Sequence, residues 1–133
     1  IFPIVDEFYS KYMTEATVYC TGKITSDTDI HLEYIYSIEF EDEDDAENYY
    51  KELHKGIQPK STSFNSQNDD GEDEDISYSI MSVVEDSYIA AVGAYRYGDT
   101  VMLIVNYGYN NTKGLSVIDG VCDDFGLHLI SNN

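Results

Sequence analysis

The stretch that most constrains this chain runs from Ser87 to Tyr109, S-Y-I-A-A-V-G-A-Y-R-Y-G-D-T-V-M-L-I-V-N-Y-G-Y. It reads as two long antiparallel strands joined at Gly98-Asp99, because glycine takes the positive φ that two-residue hairpin turns require. If Tyr97 faces Thr100, the whole register follows. Ala90, Val92 and Ala94 then lie opposite Tyr107, Val105 and Leu103, with Val101 nearer the turn, while Ala91, Gly93, Tyr95 and Tyr97 lie opposite Asn106, Ile104, Met102 and Thr100. The first face reads as core, and its alanines leave room for a helix. The second is mixed, and is either wet, covered or used for binding.

The rest of the chain arranges itself around that hairpin. Pro3 to Met13 carries Val5, Phe8, Tyr9, Tyr12 and Met13 at helical spacing and predicts a short amphipathic helix. Thr17 to Ile24 is β-prone, Ser26 to Asp29 is turn chemistry, and Ile30 to Phe40 alternates. That alternation puts Ile30, Leu32, Tyr34, Tyr36, Ile38 and Phe40 on a buried side, and His31, Glu33, Ile35, Ser37 and Glu39 on a wetter one. Asp42 caps a helix whose stripe is Ala46, Tyr49, Tyr50 and Leu53, with Lys51, His54 and Lys55 towards its C-terminal end and Gly56 as its stop. Lys60 to Asp75 is polar and acidic and reads as a long mobile loop at 60–75. Ile76 to Val84 is a strand, and a three-residue loop pairing Val84 with Tyr88 would place its apolar side with Ala90, Val92 and Ala94. A last helix carries Leu115, Ile118, Val121, Cys122 and Phe125 on one stripe and stops at Gly126, after which Leu127 to Ile130 adds a short strand. The expectation is a single α+β domain over 1–133. Its sheet is mainly antiparallel, with about five strands and helices packed mostly on one face, and a ferredoxin-like relative describes that order.

Charge narrows the functions. With 26 acidic residues against 7 basic ones and a net charge of -19, the chain lacks the clustered cations that a nucleic-acid backbone requires, and an anionic membrane surface would repel it. No apolar run approaches the roughly 20 residues of a membrane-spanning helix. The sequence opens at Ile1, which suggests a mature or trimmed form of a longer precursor with its signal or anchor segment removed. Cys20 and Cys122 can close a loop of about 100 residues, worth roughly 4 to 5 kcal/mol in the chain-entropy model. The other reading is a pair of buried thiols that pack as small apolar groups.

Motifs that carry chemistry are scarce. With Gly71 at the sixth position of a calcium loop, Ser66 stands first and Ser77 twelfth, so an EF-hand lacks both its leading aspartate and its closing glutamate. A weaker divalent site in that acidic loop is the remaining cation reading. His31, His54 and His128 have no ligand-like spacing among themselves or with the cysteines, so no metal and no cofactor is expected. There is no G-x-S-x-G elbow, phosphate loop or dinucleotide fingerprint, and either cysteine would be made inert by burial. No catalytic residue is assigned. Asn110, in N-N-T, matches a glycosylation sequon.

The run I-A-A-V-G-A-Y-R-Y-G-D-T-V-M-L-I-V, followed by a helix ending in C-D-D-F-G-L, resembles the C-terminal part of small secreted or lipid-anchored cell-envelope domains of Gram-positive bacteria. The likeness covers the last third of the chain. It implies an extracellular or cell-surface location and carries no catalytic residues with it. The functional expectation is a non-catalytic extracytoplasmic domain that binds a protein or another envelope component through a sheet face or an edge. Tyr95, Tyr97, Met102, Ile104 and Asn106 form the candidate surface, with a homodimer as its cheapest use. A small-molecule or carbohydrate pocket with hydrolytic activity is the alternative, and an acidic partner for a basic protein is a third reading.

Overall fold

A computed structural model describes residues 12–26, 29–57, 66–84, 88–109 and 116–130. The helix expected from Pro3 lies outside them except for its end, where Tyr12 is a turn residue and Met13 begins a strand. The sequon at Asn110 and the first stripe residue of the last helix, Leu115, also lie outside them. Six strands are present: β1 (Met13–Ser26), β2 (Asp29–Phe40), β3 (Ser66–Asp73), β4 (Ile76–Val84), β5 (Tyr88–Tyr97) and β6 (Thr100–Tyr109). They form one sheet in the order β1-β2-β6-β5-β4-β3, and every neighbouring pair is antiparallel. The sheet therefore has one strand more than expected. With no helix between β5 and β6, the element order also departs from the β-α-β-β-α-β of a ferredoxin-like fold.

The extra strand is β3, inside the segment expected to be a mobile loop. Its polar sequence pairs along its whole length with β4, and a two-residue turn at Glu74-Asp75 joins them, with Glu74 at φ 57°. An edge strand needs only one bonded neighbour and tolerates charge on its free side, so a carboxylate-rich sequence can still be a strand there. A paired strand in place of a loop removes the calcium-loop reading. Asp70 and Glu72 fall on one face of the strand and Asp69 and Asp73 on the other, so the four carboxylates do not converge on one ion.

The central hairpin has the register its sequence requires. Tyr97 pairs with Thr100, Tyr95 with Met102 and Ala94 with Leu103, and Gly98 takes φ 58° in the turn. Helix α1 (Glu43–Ile57) lies over one face, packing Ala46, Tyr49, Leu53 and Ile57 on Ile38, Phe40, Val92, Ala94, Val101 and Leu103. Asp42 caps it, its Oδ1 accepting from the Asp45 N–H at 2.9 Å. Gly56 is not its stop, because the helix continues to Ile57, whose side chain is buried in the core.

Helix α2 (Ser116–Asp124) covers the opposite face, so the helices are not gathered on one side. Leu103 packs under α1, and its chain neighbour Ile104 packs under Ile118 and Cys122 of α2. Gly126, at φ 71°, ends α2. Its N–H bonds the Asp123 carbonyl at 3.0 Å while the Leu127 N–H bonds the Cys122 carbonyl at 2.8 Å, a Schellman close. The residues that follow form no strand; the Ile130 N–H is instead held by Asp119 Oδ1 at 2.9 Å.

The register between β4 and β5 differs from expectation. Val84 pairs with Ile89 and Ile80 with Gly93, which turns Tyr78 and Ile80 towards α2 rather than towards Val92 and Ala94. The expectation assumed a single buried face. Both faces are buried here, so burial does not choose between the two registers.

Candidate functional site

The five residues expected to form a binding surface are separated by the fold. Tyr95, Ile104 and Asn106 are 1%, 0% and 1% exposed beneath the C-terminal segment, Met102 is half-buried, and Tyr97 is 64% exposed beside the turn. The proposed patch is therefore mostly core. Tyr95 folds back across Gly93, where an added Cβ would lie 2.7 Å from its ring. Its hydroxyl donates to the His128 carbonyl at 2.7 Å and lies 3.5 Å from Cys122 Sγ. Burial, with Cys122 next in effect, pushes the Tyr95 phenol well above its ordinary range, so it stays protonated and serves as a structural donor.

The cysteines are not bonded to each other. Cys20 is exposed on edge strand β1 and Cys122 is buried under α2, with its thiol pushed up to about 11 by burial. A thiol so held is protonated and inert at neutral pH. The two residues sit on opposite faces of the sheet, Cys20 in register with Tyr34 on the α1 face, so they are not placed for the possible disulfide, and the buried-thiol reading holds for Cys122 and not for the exposed Cys20.

Two polar clusters appear that sequence spacing did not reveal. Under α1, Ser79 Oγ contacts His54 Nδ1 and lies 3.1 Å from the Tyr50 hydroxyl. The sequence signal was available, since Tyr50 and His54 are one helical turn apart and a serine interrupts an apolar strand. Ser79 is fully buried, so its hydroxyl cannot meet a substrate, and the contact satisfies polar groups inside the core. On the other face His128 stacks on Tyr78, ring centroids 4.0 Å apart. Asp69 and Asp73 stand 3.6 Å from its Nε2 and Nδ1 respectively. The carboxylates approach different ring nitrogens, and among the described residues no group of three or more such side chains is placed to hold a metal ion. Asn106 Nδ2 donates to the buried Glu33 Oε1 at 3.2 Å, which places a carboxylate inside the face read as the wetter side of β2.

Among the described residues, an accessible apolar cleft lies at the β1 side of the sheet. Helix α2 covers β4, β5 and β6 and stops short of β1, leaving a cleft of about 380 Å³ lined by Thr17, Tyr19, Ile35, Ser37, Met102 and Phe125. Phe125 was expected on the buried stripe of α2. It falls just past the helix end and is exposed instead. Of the five expected surface residues, only Met102 reaches the cleft.

Strand β1 is itself a sheet edge. Tyr19 on its α2 face is 58% exposed and Val18 on its α1 face is 56% exposed. No residue from Ala16 to Gly22 carries a charge. The arrangement offers an extended partner a row of backbone donors and acceptors beside an apolar cleft. Among the described residues no helix is long and apolar enough to cross a membrane. No protein-family model, curated protein or solved structure matches the chain.

Proposed function

We propose that this chain is a non-catalytic binding domain that takes up an extended polypeptide strand along β1. The observation that carries this reading is the pair Val18 and Tyr19, more than half exposed on the two sides of an edge strand that is uncharged from Ala16 to Gly22. Main-chain pairing would supply affinity, and side chains on one side of the added strand would enter the cleft beside Tyr19, Ile35, Met102 and Phe125. Extracytoplasmic action is part of the proposal and rests on the resemblance of the hairpin and last helix to envelope domains. The cleft lining has the hydroxyls of Thr17 and Ser37 and the phenol of Tyr19, and no carboxylate among the described residues. A hydrolytic acid and base pair therefore has no support there.

An alternating Thr-Val nonapeptide is a suitable probe. Binding should shift and protect the outward amides of β1 in NMR and hydrogen exchange, and Tyr19→Lys should abolish the effect. Protection centred on β3, or on α1, would overturn the reading.

A further inference from the structure

Strand β1 is regular from Glu15 to Ile24, between irregularities at Met13/Glu15 and Ile24/Ser26. Its regular part carries charge only at its ends, Glu15 and Lys23. One of those ends stands beside a residue of its own charge in β2. Glu15 is in register with Glu39, and both are exposed; Lys23 is in register with His31. Like charges directly opposite in a sheet are unfavourable, so the Glu15 end is improved by a positive charge brought in from outside. Lys23 carries such a charge, and it and Glu15 are equidistant in sequence from Tyr19.

We infer that the strand β1 accepts is β1 of a second copy of this chain. The two copies pair antiparallel about a two-fold axis at Tyr19. This rests on the edge-binding reading above and names its partner. A two-fold axis normal to the sheet keeps each face of one copy continuous with the same face of the other, so residues of equal parity must face one another. With the axis at Tyr19, Tyr19 faces Tyr19 of the second copy, Val18 faces Cys20, Thr17 faces Thr21, Ala16 faces Gly22, and Glu15 faces Lys23. No other axis position opposes Glu15 with Lys23. An axis at Val18 would shorten the paired run to Glu15 through Thr21, and an axis at Cys20 would set thiol against thiol and leave Glu15 facing Thr25.

This pairing uses about eight to ten new main-chain hydrogen bonds in a continuous sheet of both copies. It covers the exposed faces of Tyr19 and Val18 and sets the two clefts side by side across the axis. Part of the net charge of -19 lies far from this edge. Four of the eight residues of β3 are carboxylates, and β3 is the opposite edge of the sheet, five strand spacings or about 24 Å from β1. That distance is well beyond the roughly 8 Å over which exposed charges act at physiological ionic strength.

Sedimentation equilibrium of the full chain in 0.15 M salt tests the pairing. The measurement is run on the wild type, Glu15→Lys, Lys23→Glu, an equal mixture of those two variants, and Tyr19→Lys. All three positions lie along an edge strand, and unchanged circular dichroism and melting confirm that each variant folds. The wild type should sediment as two chains. Either charge reversal should weaken association about tenfold, because both ends of the interface then oppose like charges. The mixture should restore it, because each end again pairs a carboxylate with an ammonium. A monomeric wild type overturns self-pairing; the Thr-Val peptide then decides separately whether β1 is a binding edge. A wild-type dimer that the reversals do not weaken, or that the mixture does not restore, overturns the register. A dimer untouched by Tyr19→Lys places the interface away from β1 and overturns the pairing altogether, again leaving the peptide to judge the edge.

Discussion

The two edges of this sheet are built in opposite ways. At β3 the free side carries carboxylates, and the adjoining face is closed by the C-terminal segment, with His128 stacked on Tyr78 between Asp69 and Asp73. At β1 the free side is uncharged over its middle, and the adjoining face is an open apolar cleft. Natural sheets guard edges with charge because an unguarded row of backbone groups pairs with other chains. One edge of this molecule has that guard and the other lacks it, which is why the functional reading falls on β1.

The largest expected difference between the two sides is in stability. Ile118→Ala, in the covered half, removes a fully buried side chain and should cost about 2 to 5 kcal/mol in urea unfolding, whereas Ile35→Ala beside the cleft should cost about 1 kcal/mol. Equal losses would mean that the cleft is core in all but shape. A pH dependence follows from Cys122. Its folded thiol is pushed up to about 11 from an ordinary value of 9.0, so the unfolded chain loses that proton first as pH rises. The stability this contributes is fully present below pH 9 and declines towards pH 11, by at most about 2 to 3 kcal/mol. Unfolding curves at about pH 8 and about pH 10.5 should show the decline, and Cys122→Ala should reduce it, the remainder coming from the buried Tyr95 phenol, which is also pushed up. In the native state Ellman's reagent should find Cys20 alone, and both thiols only in denaturant. Tyr95→Phe, which strips the His128 carbonyl of its donor, should cost about 1 kcal/mol, while Tyr97→Phe at the exposed turn should stay within about 0.5 kcal/mol.

The contrast also explains which parts could be read from sequence. The central hairpin was legible to the residue because Gly98-Asp99 sets the turn and two long β-rich runs leave no slack in register. Helix α1 was legible from Asp42 and its apolar stripe, and the end of α2 from Gly126. Strand β3 was not, because strand recognition relies on apolar alternation, and an edge strand whose free side faces water needs little of it. The face carrying Tyr95, Ile104 and Asn106 looked mixed because its polar groups find their partners far away in sequence. Tyr95 finds the His128 carbonyl 33 residues away, and Asn106 finds Glu33 73 residues away. The cleft was hidden for a related reason. It exists because α2 ends before Phe125, leaving Tyr19 and Ile35 uncovered, and where one element stops over another is a tertiary fact that no local pattern encodes.

The smallest expected effect on stability is also the most direct test of the contrast. Asp70 and Glu72 are exposed on β3, on the face away from His128, and neither carboxylate has a resolved ion pair among the described residues. Replacing both, as Asp70→Val with Glu72→Val, should change unfolding by no more than about 0.5 kcal/mol, since surface substitutions away from caps and core rarely do more. If the carboxylates are the guard, their removal leaves two unguarded edges on one sheet. A chain with one open edge closes as a pair, but a chain with two can add neighbours without limit, so light scattering should show mass growing with concentration. Adding Tyr19→Lys to the same chain should then cap growth by closing the other edge. A doubly substituted chain that scatters like the wild type would show that β3 is protected by its closed face and short length rather than by its charge.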